Sequence, residues 1–360
     1  MAPPTLVDSS IANHVNEIKA QPYAKPIVSE DGIERNFGYK IIRQQVATGR
    51  NSVIFKCESA KRPNIYCLVK SYRLGKEKIK ASFKEETCQI LRYVAGKCQT
   101  LISTYDMYYT NDKIYLMCDW SAKGEVLACM RAKSVRLTEE MLQNWTIDIL
   151  SAVTFLHNNA ICHRNIAPSC LLLTAENRVK IGTLSDAVIY CKFDGTLIKQ
   201  KWPKFSRNAN WNQAPEVAKG KLYDPRRADI WSIGATVYWF IVRNYPIDYR
   251  SSSRLTKQLE NRLSIMRKVS NRCMEFVKRM LTFQPSQRPT IHKANELEWV
   301  AGGVSGRATK ADSASGAAAP EIATGGADTG EATGPDESPA DAEPTPAVAE
   351  QEGQDEVGAE

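Results

Sequence analysis

Three short segments hold the residue types that could carry phosphate, metal or proton chemistry. They are LVK, which ends at Lys70, HRNIAPSC at residues 163–170, and TLSD at residues 183–186. In the second segment Asn165 offers an amide, which cannot accept a proton at neutral pH, and Cys170 offers a soft thiol, a poor ligand for an oxygen-preferring cation. These segments are therefore poorly equipped for general-base catalysis and for binding a hard metal ion.

The composition excludes several classes of protein. Hydrophobic residues make up 43% of the chain, enough for a sizeable core, which excludes a wholly disordered or collagen-like protein. Ten cysteines occur without a CxxC pair, so we expect reduced, mostly buried thiols rather than a disulfide framework or a zinc site. The longest mostly apolar run, residues 231–242, is too short to cross a membrane, and the N-terminus lacks the regions of a secretory signal. We therefore expect a cytoplasmic protein, with a nuclear location left open.

The charge of the chain is divided between two parts. Residues 301–360 carry two basic and thirteen acidic residues, a net charge of −11, and almost no large apolar side chains. Such a segment cannot offset its ordering entropy by burial, which predicts a disordered acidic tail rich in Ala, Gly, Pro and Glu. Residues 1–300 carry a net charge of +19. No zinc-finger spacing or RNA-binding motif accompanies this charge, so we expect acidic protein partners, and neither nucleic acid nor a membrane.

The elements that must position the three segments change type along the chain. Residues 1–38 contain four prolines and little periodicity, which predicts a mostly irregular lead-in. A helix is expected at residues 81–94, and from Thr138 helical periodicity dominates as far as Trp299. Strands are predicted for YKIIRQQV, NSVIFKC, IYCLVKSY, STYDMYY, KIYLMCDW, CLLL and RVKI. This order, rich in strands first and in helices afterwards, predicts one α+β unit with two lobes.

The order of the motifs resembles that of a eukaryotic protein kinase catalytic domain, over residues 39–300. The resemblance rests on LVK, HRNIAPSCLLL, APE at residues 214–216, DIWSIG at residues 229–234, and the pair Arg288 and Pro289. The segment VKRMLTFQPSQRPTI is similar to the calcium/calmodulin-dependent group, including its testis-specific serine/threonine kinase branch. The resemblance implies a bilobal fold, with a small β-rich N-lobe at about residues 39–120 and a larger α-helical C-lobe at about residues 121–300.

Several positions that carry the chemistry of this family hold other residue types here. Protein kinases position ATP with a glycine-rich loop, a lysine, two magnesium ligands and a base. Lys70 matches the lysine, but Asn165 stands at the base and Ala167 at the lysine that steadies the phosphate. Cys170 and Thr183 stand at the two magnesium ligands. The resemblance therefore implies no catalytic residue and no bound metal.

The same resemblance implies a weak or vestigial nucleotide site that requires no cofactor and could hold ATP without magnesium. Only one glycine remains in the loop over the phosphates. The helix glutamate that normally pairs with the lysine falls at Thr87, and whether Glu86 replaces it is left open. The members of the site would be Gly49, Ile54, Lys70, Asp119 and Ser121.

Positions that hold the scaffold of the family keep their expected types. Glu216 and Arg288 would form a buried carboxylate–guanidinium pair. Asp229 would anchor the backbone at His163 and Arg164. The contrast with the chemical positions predicts a catalytically inactive, kinase-like scaffold or allosteric binding protein.

One alternative function and the roles of two surfaces stay open. An unconventional serine/threonine kinase could rebuild its metal site from Asp186. A partner protein would dock on the C-lobe or on the basic loop from Lys192 to Arg207, and the acidic tail could fold back on that loop, although a merely solvated loop is equally expected. The segment at residues 254–269 is basic with apolar residues at helical spacing, which indicates either a helix for a partner such as calmodulin or a core-facing stripe.

Overall fold

The computed structural model describes residues 6–22, 25–26, 29, 31–48, 52–59, 66–73, 85–109, 113–119, 121–201, 212–249, 254–266 and 269–303. The expectations for Gly49, for residues 202–207 of the basic loop and for the acidic tail from residue 304 onward lie outside these residues. Within them the chain folds into the two lobes expected from the order of its elements.

The N-lobe is built on a six-stranded sheet in the order β1-β5-β6-β4-β3-β2. All neighbours pair antiparallel except β1 and β5, which run parallel. The register places Lys70 between Ile54 on one side and Leu116 on the other. The helix that follows is α3 (Glu85–Val94), which ends at the residue expected from the sequence, while the expected start at residues 81–84 lies outside the described residues. The strands are β1 (Lys25–Pro26), β2 (Tyr39–Thr48), β3 (Ser52–Ser59), β4 (Tyr66–Arg73), β5 (Thr104–Tyr109) and β6 (Lys113–Asp119).

The N-terminal segment is not the mostly irregular lead-in that its prolines suggested. It forms α1 (Ser9–Lys19) and α2 (Asp31–Phe37). The side chain of Asp8 caps α1 by accepting from Ser10 N at 2.8 Å. Helix α1 buries Ala12, Val15 and Ile18, which share one face because they lie three residues apart. The prolines flank the helix rather than interrupt it, so the expectation of irregular structure was wrong for this stretch.

Both N-terminal helices pack on the N-lobe. Val15 and Ile18 join the main core together with residues of α3, and Gln89 Nε2 of α3 donates to Lys19 O at 3.0 Å. Helix α2 covers a second, smaller core on the sheet, where Phe37 stacks on Tyr108 with ring centroids 4.3 Å apart. The segment therefore extends the N-lobe, and the boundary expected near residue 39 does not separate it from the lobe.

The C-lobe is organised around two long helices, α5 (Glu139–Asn158) and α7 (Pro225–Val242). Thr138 caps α5 by accepting from Met141 N at 3.2 Å, where the sequence predicted the helix to begin. Gly234 lets α9 approach α7, because a Cβ at this position would lie 2.6 Å from Cβ of Met280. The other helices are α4 (Val126–Arg131), α6 (Pro215–Ala218), α8 (Leu255–Ser264), α9 (Asn271–Met280) and α10 (Ile291–Asn295).

Short strands complete the C-lobe and carry the loops of the site. The pairs are β7 with β9, β9 with β10, β8 with β11, and β12 with β13, all antiparallel. Their bounds are β7 (Gly124–Glu125), β8 (Ile161–Cys162), β9 (Leu171–Leu173), β10 (Val179–Ile181), β11 (Val188–Ile189), β12 (Gln200–Lys201) and β13 (Leu222–Tyr223).

The apolar stripe of residues 254–269 faces the core. Leu259 and Met266 are buried members of the main core, and Leu255 and Leu263 pack against it. The core-facing interpretation therefore holds, and the stripe is not displayed for a partner helix. Among the described residues no helix is both long and apolar enough to span a membrane.

Candidate functional site

A buried carboxylate of α7 anchors the backbone of the loop at residues 163–170. Asp229 accepts from His163 N at 2.9 Å and from Arg164 N at 2.7 Å. Its Oδ2 also lies 2.9 Å from Nε2 of His157, at the end of α5. A fully buried carboxylate needs such partners, because an unpaired charge in the interior is costly. Arg164 has a positive φ of 63°, so the loop is bent sharply where Asp229 holds it.

Asn165 and Asp186 meet in the cleft, although they lie 21 residues apart. Asn165 Nδ2 donates to Asp186 Oδ2 at 2.8 Å, and Arg164 Nε donates to the carbonyl oxygen of Asp186 at 2.7 Å. At the position where the sequence predicts a replaced base, an amide thus directs its donor at the carboxylate of Asp186. Nothing in the spacing of the sequence indicated this contact.

Cys170 and Thr183 satisfy their polar groups within their own loops. The thiol of Cys170 donates to Ala167 O at 3.0 Å and accepts from Ala167 N at 3.3 Å, inside a short 3₁₀ turn. Thr183 Oγ1 lies 3.3 Å from Ser185 Oγ. At the two positions where the sequence predicts magnesium ligands, a thiol and a hydroxyl thus replace the carboxylate and amide oxygens that this ion prefers.

The described residues contain one cluster of three side chains with metal-ligating atoms, and it is structural. His157, Cys162 and Asp229 bring one ligand atom each within 4.8 Å of one another. Burial raises the pKa of the Cys162 thiol well above its usual value, which keeps it protonated. Asp229 is already used by the loop backbone. We therefore find no site suited to a metal among these residues.

A small cavity of about 10 Å³ lies between the lobes, behind Cys118. Leu91 of α3 and Leu184 line it, which brings the apolar residues of the two lobes together. The cavity has room for about one water molecule, next to the hydroxyl of Thr104. His163 is also buried. Burial lowers the pKa of its imidazole, so the ring is neutral at neutral pH.

Glu86 connects α3 to the C-lobe. Its Oε1 accepts from Ile189 N of β11 at 2.9 Å, while Thr87 is buried. This carboxylate thus has a backbone partner in the segment that follows Asp186. Lys70 lies in β4, where it is paired with Ile54 of β3 on one side and with Leu116 of β6 on the other.

Asp119 and Ser121, which are expected at the nucleotide site, use their side chains in contacts within the protein. Asp119 accepts from Ser103 N at 3.2 Å and from the hydroxyl of Tyr105, and its carboxylate lies 3.9 Å from Lys180 Nζ. Ser121 is buried and donates to Leu173 O at 2.7 Å. The polar atoms of both side chains are therefore already engaged within the protein. Ile54 is partly buried against the core.

The charged pair expected to tie the C-lobe together has bidentate geometry. Arg288 is 2% exposed, and its two terminal nitrogens donate to the two oxygens of Glu216 at 2.7 and 2.8 Å. Its Nε donates to Thr282 O at 2.8 Å, and one terminal nitrogen also reaches Arg227 O at 2.9 Å. Full pairing of this kind is what allows a guanidinium to be buried.

The described part of the basic loop forms a hairpin next to the N-terminus. Lys192, Lys199 and Lys201 are exposed, and Phe193 at the tip is 69% exposed. The residues just before α1 reach this hairpin through Val7 N, which donates to Gly195 O at 2.7 Å. Sequence reasoning missed the contact because it missed α1, although Ile11, Val15 and Ile18 follow Asp8 at helical spacing.

Comparison with known proteins places the chain among related sequences. A family model described as the protein kinase domain matches residues 41–300. The carbon catabolite-derepressing protein kinase of Candida glabrata is 30% identical over 202 residues, 55% of this chain and 31% of its own length. The serine/threonine-protein kinase kin-29 of Caenorhabditis elegans is 26% identical over 205 residues, 56% of this chain and 24% of its own. The serine/threonine protein kinase OSK3 of Oryza sativa subsp. japonica is 28% identical over 202 residues, 55% of this chain and 38% of its own. The matches thus span well under half of the length of these relatives.

Proposed function

The chain belongs to the protein kinase domain family, and on that premise we propose that it is a catalytically inactive member that works as a scaffold or allosteric binding protein. The hydrogen bond from Asn165 Nδ2 to Asp186 Oδ2, at 2.8 Å, carries this proposal. An amide replaces the base, and the carboxylate nearest to it is already engaged by that amide. Phosphoryl transfer depends on positioning and on charge neutralisation by magnesium, so both requirements are unmet here.

The local bonding of Cys170 and Thr183 supports the same proposal. Their polar groups are satisfied inside their own loops, so the loops need no ion to compensate them. The finer placement, near the calcium/calmodulin-dependent group and its testis-specific branch, is also a proposal, which rests on the segment VKRMLTFQPSQRPTI.

A second candidate function is an unconventional serine/threonine kinase with a rebuilt metal site. The position of Asp186 favours it, because this carboxylate lies in the cleft beside Asn165. In that case Asp186 would take over the ion or the proton that the family handles with other residues. Asp186→Ala would then abolish all turnover.

A phosphotransfer assay separates the two candidates. The full chain is incubated with labelled ATP and magnesium or manganese, with a protein acceptor and without one, beside Lys70→Ala and Asp186→Ala. We expect no transfer above the level of the Lys70→Ala protein. Turnover that persists through purification and disappears in both variants would replace the inactive scaffold by the unconventional kinase.

For the nucleotide we propose weak binding of ATP without magnesium, at Gly49, Ile54, Lys70, Asp119 and Ser121. Stabilisation by a ligand grows as RT ln(1 + [L]/Kd), so thermal unfolding with ATP tests this proposal. A shift that is equal with and without magnesium supports it. A shift that requires magnesium contradicts it and favours the rebuilt metal site.

For the partner we propose an acidic protein surface that docks on the hairpin of the basic loop, with the acidic tail as an intramolecular competitor. The exposed Lys192, Lys199 and Lys201, beside the exposed Phe193, support it. A glutamate-rich peptide should bind the full chain in a salt-dependent manner and bind a variant with all three lysines changed to Gln more weakly. Equal binding to both proteins would contradict this docking site.

A further inference from the structure

A second cavity, of about 160 Å³, lies where α1, the end of α5, the start of α7 and α10 meet. It is lined by Ile11 from α1, Tyr190 from the segment after β11, Arg226 and Arg227 from the first turn of α7, and His292 from α10. Its volume is several times the roughly 30 Å³ that a water molecule occupies in the liquid. None of these side chains belongs to the nucleotide cleft.

The two arginines of this cavity differ in how their charge is compensated. Arg226 pairs with Asp224 through two contacts of 3.1 and 2.9 Å, and its guanidinium lies 5.0 Å from the ring centroid of Tyr190. Arg227 donates one terminal nitrogen to Arg288 O at 2.6 Å. Among the described residues no carboxylate forms an ion pair with Arg227. The guanidinium of this half-buried residue is instead hydrogen-bonded to the carbonyl oxygen of Arg288.

The charged neighbours of Arg227 act in both directions. The carboxylate of Asp224 favours the charge of Arg227, whereas the guanidiniums of Arg226 and Arg288 disfavour it. The carboxylates of Asp224 and Glu216 are already bonded to Arg226 and Arg288. Burial, more than these neighbours, lowers the pKa of Arg227. A partly desolvated guanidinium beside a cavity is the arrangement that binds carboxylates and phosphates with paired hydrogen bonds.

We propose that this cavity binds a small oxyanion, a phosphate or a carboxylate group, through Arg227, with Arg226 and His292 beside it. The anion would be the ion-pair partner that Arg227 does not have among the described carboxylates. A guanidinium has five N–H donors, so several remain for the anion after one of them binds Arg288 O.

The same cavity connects the anion to the N-terminal helix. Ile11 forms part of the wall, so the cavity is complete only while α1 is docked. Val7 N and the backbone of the hairpin hold the start of this segment at Gly195 O. A ligand that binds only the complete cavity therefore stabilises the docked position of α1, by the same linkage that couples any ligand to the state it prefers.

Titration of the full chain with inorganic phosphate, at constant ionic strength maintained with chloride, tests the proposal. We expect saturable binding by calorimetry, and a loss of affinity of about tenfold or more in Arg227→Gln, since a hydrogen bond between charged groups is removed. The phosphate affinity of Arg227→Lys, which keeps the charge but loses the paired N–H donors of the guanidinium, should lie between those of the unmodified chain and Arg227→Gln. A parallel titration with acetate separates the two sources of the group, because tighter binding of phosphate or of acetate identifies which oxyanion the cavity prefers.

Arg243→Gln provides the matched control. Arg243 follows the last residue of the same helix, is exposed, and stacks on Trp239 without lining the cavity. It should bind phosphate as the unmodified chain does. Equal affinity of the unmodified chain and Arg227→Gln, or an equal loss in Arg227→Gln and Arg243→Gln, overturns the proposal.

A second readout does not depend on how well the variants fold. Hydrogen exchange of the α1 amides in the unmodified chain should slow when phosphate is added, while exchange in α8, which does not touch the cavity, stays unchanged. Exchange in α1 that is the same at all phosphate concentrations contradicts the link between the cavity and the helix.

Discussion

The scaffold positions of the C-lobe and the two positions expected to bind magnesium form hydrogen bonds of different range. In the scaffold, Arg288 binds Glu216 across 72 residues and Asp229 binds the backbone of His163 across 66 residues. At the expected magnesium positions, Cys170 binds Ala167 three residues away, and Thr183 binds Ser185 two residues away, whereas Asn165 in the same chemical segment binds Asp186 across 21 residues. Long-range pairs hold elements together, whereas local pairs only complete a loop. The difference shows how the fold persists without the ligands that the family uses.

The largest effect that tests this comparison is expected at Arg288. Arg288→Ala leaves the carboxylate of Glu216 without its partner, which costs about 3–5 kcal/mol in the free energy of unfolding. Urea denaturation followed by circular dichroism measures it. Arg279→Ala is the matched control, because Arg279 forms an exposed ion pair with Glu275 at 2.8 Å and its loss costs about 1 kcal/mol or less. Similar losses in both variants would erase the distinction between scaffold and surface.

The next effect tests whether α1 belongs to the scaffold. Ile18 is fully buried against α3, so Ile18→Ala should cost about 2–5 kcal/mol through lost burial and a residual cavity. The exposed Ile265 serves as the control, and Ile265→Ala should change stability by about 0.5 kcal/mol at most. If Ile18→Ala behaved like Ile265→Ala, the N-terminal helix would be an appendage rather than part of the fold.

A smaller effect depends on pH and on His163. Burial lowers the pKa of this imidazole below 6.5 in the folded state, so its contribution to stability is complete above pH 6.5 and is lost as the pH falls. The slope from this one proton is at most about 1.4 kcal/mol per pH unit. Urea denaturation between pH 7 and pH 5 should therefore show a weaker pH dependence in His163→Phe. An unchanged slope would mean that His163 titrates alike in the folded and unfolded states.

The smallest effects are expected in the chemical segment. Thr183→Ala removes a hydroxyl whose bonds stay within its own loop, so it should cost about 1 kcal/mol or less in the free energy of unfolding. Asn165→Ala should cost a similar amount, because Asn165 and Asp186 are only partly buried and water can replace the amide. Urea denaturation of both variants measures this, and a loss as large as that of Arg288→Ala would make the chemical segment part of the scaffold.

Local patterns predicted most of the elements, because periodicity and caps are properties of neighbouring residues. The cap at Thr138 and strands β2 to β6 of the N-lobe lie where the sequence placed them, whereas β1 was not predicted. Helix α1 was missed since its apolar face is short and prolines flank it, and only its burial against α3 shows what that face is for. The apolar stripe of α8 could not be assigned from spacing, because a core-facing and a partner-facing helix share the same period.

The sequence by itself determined the order of the elements and the residue types at the chemical positions, which is why the amide at Asn165 and the thiol at Cys170 could be identified before any coordinates. Tertiary structure alone decided that Asn165 meets Asp186, that Glu86 reaches Ile189 N, and that Arg227 lies in a cavity walled by α1. The physical reason is range. Periodicity and capping act over a few residues, whereas these contacts join residues brought together by the packing of separate elements.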